Sequence, residues 1–270
     1  MRVTSSNVFI FGLLSLSLLL GGGGVAHAGF GDGDPVVSDP GKGAKRALAL
    51  ALTVGAKGHV AMIHTASLTG GQGGDVNDKT MKTGLTWTIL SGDAERGWRF
   101  QLVVDTASTT SASGGTASRT LLGRIMRDGA MSLEDPQVAS PDGGFVMMMV
   151  SEFAQNAVRL PRQPVGEGAI WETVRHSRVG GIKSVHTARY TLKRLTPGGF
   201  EATVKSLVGT GGGGTRAKGE SSSVLHWKAS GLYPESLVTD AKTTTYAKPG
   251  VQSKNVVMTI RTELRAMESR

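Results

Sequence analysis

Cysteine is absent from the 270 residues. That single absence removes a disulfide framework, a thiol nucleophile, a thiolate metal site and an acylated N-terminal cysteine. Stability must come from packing and sheet hydrogen bonds. Aromatic side chains are scarce, with 4 Trp, 3 Tyr and 7 Phe. Long apolar runs are also missing: the longest, Val8–Leu20, falls short of the ~20 residues a spanning helix requires. Nothing later in the chain has such a run.

The catalytic and cofactor motifs are missing as well. No Gly-x-Ser-x-Gly elbow or Ser-x-x-Lys occurs; Gly219-Glu220-Ser221-Ser222-Ser223 lacks the second glycine and the strand-turn-helix setting. His59 and His64 are five apart, an odd interval that sends them to opposite faces of a strand, and no other histidine pair has ligand spacing. Gly211–Gly214 reads as a hairpin tip, because a strand follows it where a phosphate loop needs a helix. Asp32-Gly33-Asp34 lacks the remaining ligands of a calcium loop. Glu134-Asp135 and the Asp93/Glu95 pair sit in turns, whereas a glycosidase holds two carboxyls about 5–10 Å apart across a cleft. No catalytic residue, metal or cofactor is therefore expected, and a hydrolase ranks third among the functions considered. Nucleic-acid binding lacks a stacking motif, a helix-turn-helix and zinc-finger spacing.

What is present begins with an export signal. Residues 1–28 combine Arg2, the apolar stretch Val8–Leu20 and the small-residue ending Ala26-His27-Ala28, so cleavage is expected after Ala28 and the mature chain belongs in a periplasm or outside the cell. Residues 29–44, rich in Gly, Asp and Pro, read as a flexible leader. With 39 glycines, the body should be rich in loops.

Period-two patterns dominate that body. Trp98, Phe100, Leu102 and Val104 alternate with Arg99, Gln101 and Asp105, and Val256–Arg265 behaves likewise, which is the mark of antiparallel sheet with one dry face. Further strands are expected at Leu48–Val54, Val60–Leu68, Thr86–Leu90, Thr120–Met126, Ile170–Arg175, Ile182–Leu195, Phe200–Val208, Ser223–Ala229 and Leu237–Tyr246. Ser91–Gly97 and Thr196–Gly199 read as hairpin joints.

Sliding the chain by 102 or 103 residues places Trp87, Gly97-Trp98, Leu121-Leu122 and Gly129 opposite Tyr190, Gly199-Phe200, Val224-Leu225 and Gly231. An internal repeat follows: a first β half over 45–139 and a second over 161–270. Between them, residues 140–160 form the one expected helix, with Ser140 as N-cap and Pro141 at the first helical position. Phe145, Met149, Phe153 and Ala157 recur every fourth residue on it. Phe145, Met148, Met149 and Phe153 are the candidate apolar ligand contacts, since methionine adapts to greasy guests. The fold class is thus mainly β (α+β), antiparallel sheets in two similar halves with one helix on or between them.

Charge divides the chain unevenly. Residues 29–170 hold 13 basic and 14 acidic side chains, and residues 171–270 hold 16 and 7, so all the excess positive charge of the mature chain lies in the second half. Such a field favours acidic partners, which for an exported protein are anionic lipid, lipopolysaccharide or a polyanionic wall component.

Leu160-Pro161-Arg162-Gln163-Pro164-Val165-Gly166-Glu167-Gly168-Ala169-Ile170-Trp171 resembles the Leu-Pro-x-x-Pro-Val-x-x-Gly-x-x-Trp segment of an uncharacterised family of exported, β-rich bacterial proteins. Gly231-Leu232-Tyr233-Pro234 extends the likeness to a turn after a strand. The resemblance implies export and β architecture and carries no catalytic residue. Two functions are open: an exported, non-enzymatic envelope protein binding an anionic or macromolecular partner, or a carrier of a hydrophobic ligand resembling periplasmic lipoprotein carriers. The sequence leaves ligand identity and oligomeric state open. N-terminal sequencing of the exported chain should begin at Gly29, with Ala28→Arg accumulating as precursor; an intact Met1 on exported material would overturn the signal assignment.

Overall fold

The computed structural model describes residues 31–70, 76–107, 117–134, 158–179, 182–212, 215–246 and 255–267. Its architecture is one antiparallel sheet of 13 strands with a separate two-stranded ribbon. After three short leader strands, β1 (Gly31–Asp32), β2 (Val36–Asp39) and β3 (Lys42–Arg46), the first meander runs β4 (Lys57–Gly70), β5 (Val76–Asp93), β6 (Gly97–Ala107), β7 (Ala117–Ile125) and β8 (Met131–Glu134). Then β9 (Val165–Glu167) leads into the second meander: β10 (Ile170–Val179), β11 (Ile182–Thr196), β12 (Gly199–Gly212), β13 (Thr215–Lys228), β14 (Ser236–Tyr246) and β15 (Val256–Met267).

Within each meander, neighbours in sequence are neighbours in the sheet; the β5–β6 and β11–β12 joints are tight turns in which Gly97 and Gly198 supply the positive φ. The two meanders become one sheet because β15 pairs with β4 from Val256↔Gly70 to Met267↔His59. At the far edge, β1 and β2 pair with β10, while β3 pairs with β9. Part of the leader at 29–44 is therefore hydrogen-bonded to the sheet edge.

The inward face is built from alternate residues of each strand. Trp98, Phe100, Leu102 and Val104 are buried on β6, and Leu225 and Trp227 on β13. Both wings contribute to a single core, so the sheet is curled. The segment following the first meander draws its ends together: Leu160 donates its N–H to the Asp128 carbonyl, and Trp171 Nε1 donates to the Arg159 carbonyl at 2.9 Å. Gly129, at φ +80, has no room for a Cβ against the Val158 carbonyl, so the turn after β7 can approach this closely only as glycine.

Leu48–Val54, expected as a strand, is a strap outside the sheet. Leu50 N–H bonds to the Arg127 carbonyl and Ala51 N–H to the Ala229 carbonyl, so successive amides tie the turn after β7 to the turn after β13. The alternation is real, with Leu48, Leu50 and Leu52 buried. It serves to plug the end of the curled sheet.

The helix expected at 140–160 falls almost wholly outside the described residues. Residues 140–157, with Phe145, Met148, Met149 and Phe153, lie outside the described residues, as does Ala28. Residues 158–160 are described and run as buried, irregular chain. Among the described residues there is no helix, and the supported class is mainly β. The extended path is dictated by the carbonyl and amide of Arg159 and Leu160 bonding across to other elements, which a helix would consume internally. Three of the repeat landmarks fall on β5, β6 and β7 against β11, β12 and β13, and the fourth, Gly129 against Gly231, falls just after β7 and β13. The inward counterpart of Leu121 is Leu225, one position beyond the sequence alignment, and Val224 points outward.

Trp171 anchors the second meander at full burial, stacked on Tyr190 at 5.0 Å and edge-on to Phe200 at 6.4 Å. Trp171→Phe keeps the stacking but strands the buried Arg159 carbonyl, a loss of about 1–3 kcal/mol. Trp171→Ala should cost about 3–5 kcal/mol. Urea unfolding should rank wild type above the Phe variant and the Phe variant above the Ala variant.

Candidate functional site

The inward face changes character along the strands. At the strapped end it is apolar and filled, with Phe100, Leu102, Leu192 and Ala202 at zero exposure. Further along the strands it turns polar. One cross-strand row reads Trp171, Tyr190, Val204, Ser223, Thr239, Thr262, His64. In it Ser223 and Thr239 share a hydrogen bond of 2.8 Å, and His64 Nδ1 lies 2.9 Å from the Thr262 hydroxyl. Burial raises the Tyr190 phenol above its ordinary value and lowers His64 to about 4.

An imidazole beside a hydroxyl is raw material for nucleophilic catalysis, but access decides the matter. His64 and Thr262 are only 4% and 6% exposed, so a substrate cannot reach the pair. The other sequence candidates are surface contacts. Asp93 accepts the amides of Glu95 and Arg96, and those hydrogen bonds hold its carboxyl below the usual range. Glu134 is bound by Arg99 at 2.7 Å. Glu201 is held by Arg194, whose hydrogen bond lowers the carboxyl, with His226 at 3.3 Å. His59 faces away from His64, as the odd spacing requires, and bonds Thr86. Thr215 opens β13 directly after the glycine-rich tip. Among the described residues no group of His, Asp or Glu could hold a metal ion.

One concavity among the described residues lies on the outward face. A groove of about 1040 Å³ crosses the sheet from β10 to β4. Register explains its lining. One row runs Glu172, Arg189, Lys205, Ser222, Asp240, Arg261, Thr65; the next runs Thr187, Leu207, Glu220, Lys242, Thr259, Ser67. Arg189 pairs with Glu172 at 3.2 Å, and Arg261 pairs with Asp240 at 3.2 Å. Lys205 and Lys242 have no ion pair among the described residues. No aromatic ring lines the groove.

These rows also bear on membranes. No helix of the described residues is long and apolar enough to span, a finding that does not address strands. A lipid-facing barrel wall needs an apolar outward band about 25 Å tall, and here the outward rows carry Glu172, Arg189, Lys205, Glu220, Asp240, Lys242 and Arg261. Sequence reasoning located the excess positive charge but not the groove, because the residues that line it come from seven strands and only register brings them together.

Stability should depend on pH through His64. Its folded value is depressed from 6.5 to about 4, so the unfolded chain takes up a proton first as acid is added. The native state is at full strength above pH 6.5 and loses roughly 3 kcal/mol as pH falls from 6.5 to 4, levelling below that. Urea unfolding of wild type and His64→Gln across this interval should show the decline shrinking in the variant. Compared with known proteins, the chain matches no protein-family model, no curated protein and no solved structure.

Proposed function

We propose that this chain is an exported, non-enzymatic envelope protein that binds an anionic or macromolecular partner on the outward face of its second meander. The observation that carries this reading is the continuous charged and hydroxylated groove across β10–β15 and β4, in which Lys205 has no ion pair among the described residues and Lys242 stands opposite Glu220 without a close ion pair. A basic surface of this kind raises the local concentration of anionic partners and speeds encounter. The chemistry needed to bind is surface-exposed, whereas the imidazole–hydroxyl pair that could support catalysis is sealed inside.

A carrier of a hydrophobic ligand would need open apolar space within the curl. Among the described residues, the apolar end of the inward face is packed with Trp171, Phe100 and Leu192, which favours the surface reading.

The test is co-sedimentation or retention of the processed protein with three anionic probes: vesicles of phosphatidylcholine and phosphatidylglycerol in equal parts, linear polyphosphate, and polygalacturonate. Binding to at least one is expected at roughly 0.01 M salt and should vanish near 1 M, where the screening length shrinks to about 3 Å. No binding to any probe at low salt would remove this reading.

A further inference from the structure

We infer that the groove's occupant is a linear, phosphate-bearing polymer lying across the strands, with one phosphate seated at Arg189, Lys205 and Ser222. This inference rests on the binding reading above and makes its partner specific. The shape of the groove argues for a chain. From β10 to β4 there are six strand spacings, about 29 Å at ~4.8 Å each. The lining comes from all seven strands in turn, so the groove is elongated and suits an extended chain lying across them.

The charge pattern selects the anion's position. Arg189 and Lys205 are direct cross-strand partners, and like charges placed opposite each other repel unless something neutralises them. Glu172 does so for Arg189 from the β10 side. Lys205 has no such partner, and its neighbour on the other side is the hydroxyl of Ser222. Beyond Ser222 stands Asp240, whose charge is answered by Arg261 at 3.2 Å. The free positive charge of the row is thus centred on Lys205. Three donor groups from three adjacent strands, a guanidinium, an ammonium and a hydroxyl, flank that point. An internal phosphate of such a polymer offers its two charged oxygens to the guanidinium and the ammonium and a bridging oxygen to the hydroxyl, whereas a carboxylate has only two oxygens in all. Lys242, two strands away on β14, stands opposite Glu220 and supplies a weaker second contact along the same chain. The hydroxyls of Thr187 and Thr259 also line the groove and suit the oxygen-rich backbone of such a polymer.

The experiment compares the processed wild-type protein, the double variant Arg189→Gln/Lys205→Gln, and Lys82→Gln, a charge removal on the same face outside the groove. All three positions are exposed, and loss of a surface ion pair moves stability by less than about 1 kcal/mol, so thermal unfolding should be nearly superimposable. Linear polyphosphate should bind wild type and Lys82→Gln alike, and the double variant roughly ten- to a hundredfold more weakly, with a flatter dependence on salt. Polygalacturonate and the phosphatidylglycerol vesicles should bind wild type at least roughly tenfold more weakly than polyphosphate. If the double variant binds polyphosphate like wild type, the assigned seat is wrong while the general binding reading survives. If the vesicles or polygalacturonate bind as tightly as polyphosphate, the phosphate-polymer assignment is wrong. Failure of all three probes at low salt would sink both.

Discussion

Pairing between β15 and β4 is the interaction on which everything else depends. It brings Val256–Met267 against His59–Gly70, with contacts such as His64 to Thr262 spanning 198 positions in sequence. Each meander by itself has two exposed edges, and edges invite pairing with other chains. Joining them removes one edge from each and makes a sheet wide enough to curl around a shared core. Non-local pairing of this kind closes a long loop before it is rewarded, so it comes late and slowly in folding. The outward groove crosses this seam, since Arg261 lies on β15 and Thr65 on β4. Without the seam there is neither a complete core nor a complete groove.

The curl creates two surfaces with opposite demands. Inside, the strap at Leu48–Leu52 and the anchor at Trp171 fill one end with apolar side chains, while hydroxyls, His64 and buried arginines occupy the rest. Burying polar groups costs free energy unless each finds a partner, and the Ser223–Thr239 and His64–Thr262 pairs answer that requirement. Outside, the side chains are under no packing constraint, so their identity is set by solvent and by whatever the surface meets. In the row where Arg189 faces Lys205, Glu172 answers Arg189 at 3.2 Å, and Lys205 stands exposed beside it.

Much of the framework was legible from the alternation of side chains. The pattern Trp98-x-Phe100-x-Leu102-x-Val104 reads directly as β6, and the joints at Ser91–Gly97 and Thr196–Gly199 mark two of the hairpins, because tight turns are governed by residues adjacent in sequence. The odd spacing of His59 and His64 correctly sends them to opposite faces. Trp171, the last residue of the Leu160–Trp171 segment, is fully buried at the start of the second meander. Leu48–Val54 misled for a physical reason: alternation reports which side chains are dry, and a strap across a barrel-like end dries every second residue as a strand does. The Met/Phe stripe at Phe145–Phe153 lies outside the described residues, so the apolar contacts expected there have no counterpart in the site described.

The sequence by itself determined the β character, the turn positions and the face on which each side chain falls, because these follow from period-two geometry and local backbone preference. It also determined that the second half carries the positive charge. Only the tertiary structure decided which strands meet, that Leu48–Leu52 is a plug, and that Arg189, Lys205 and Ser222 stand side by side. Those outcomes depend on register between segments far apart in the chain, and a shift of one residue in any pairing would turn the same side chains to the other face.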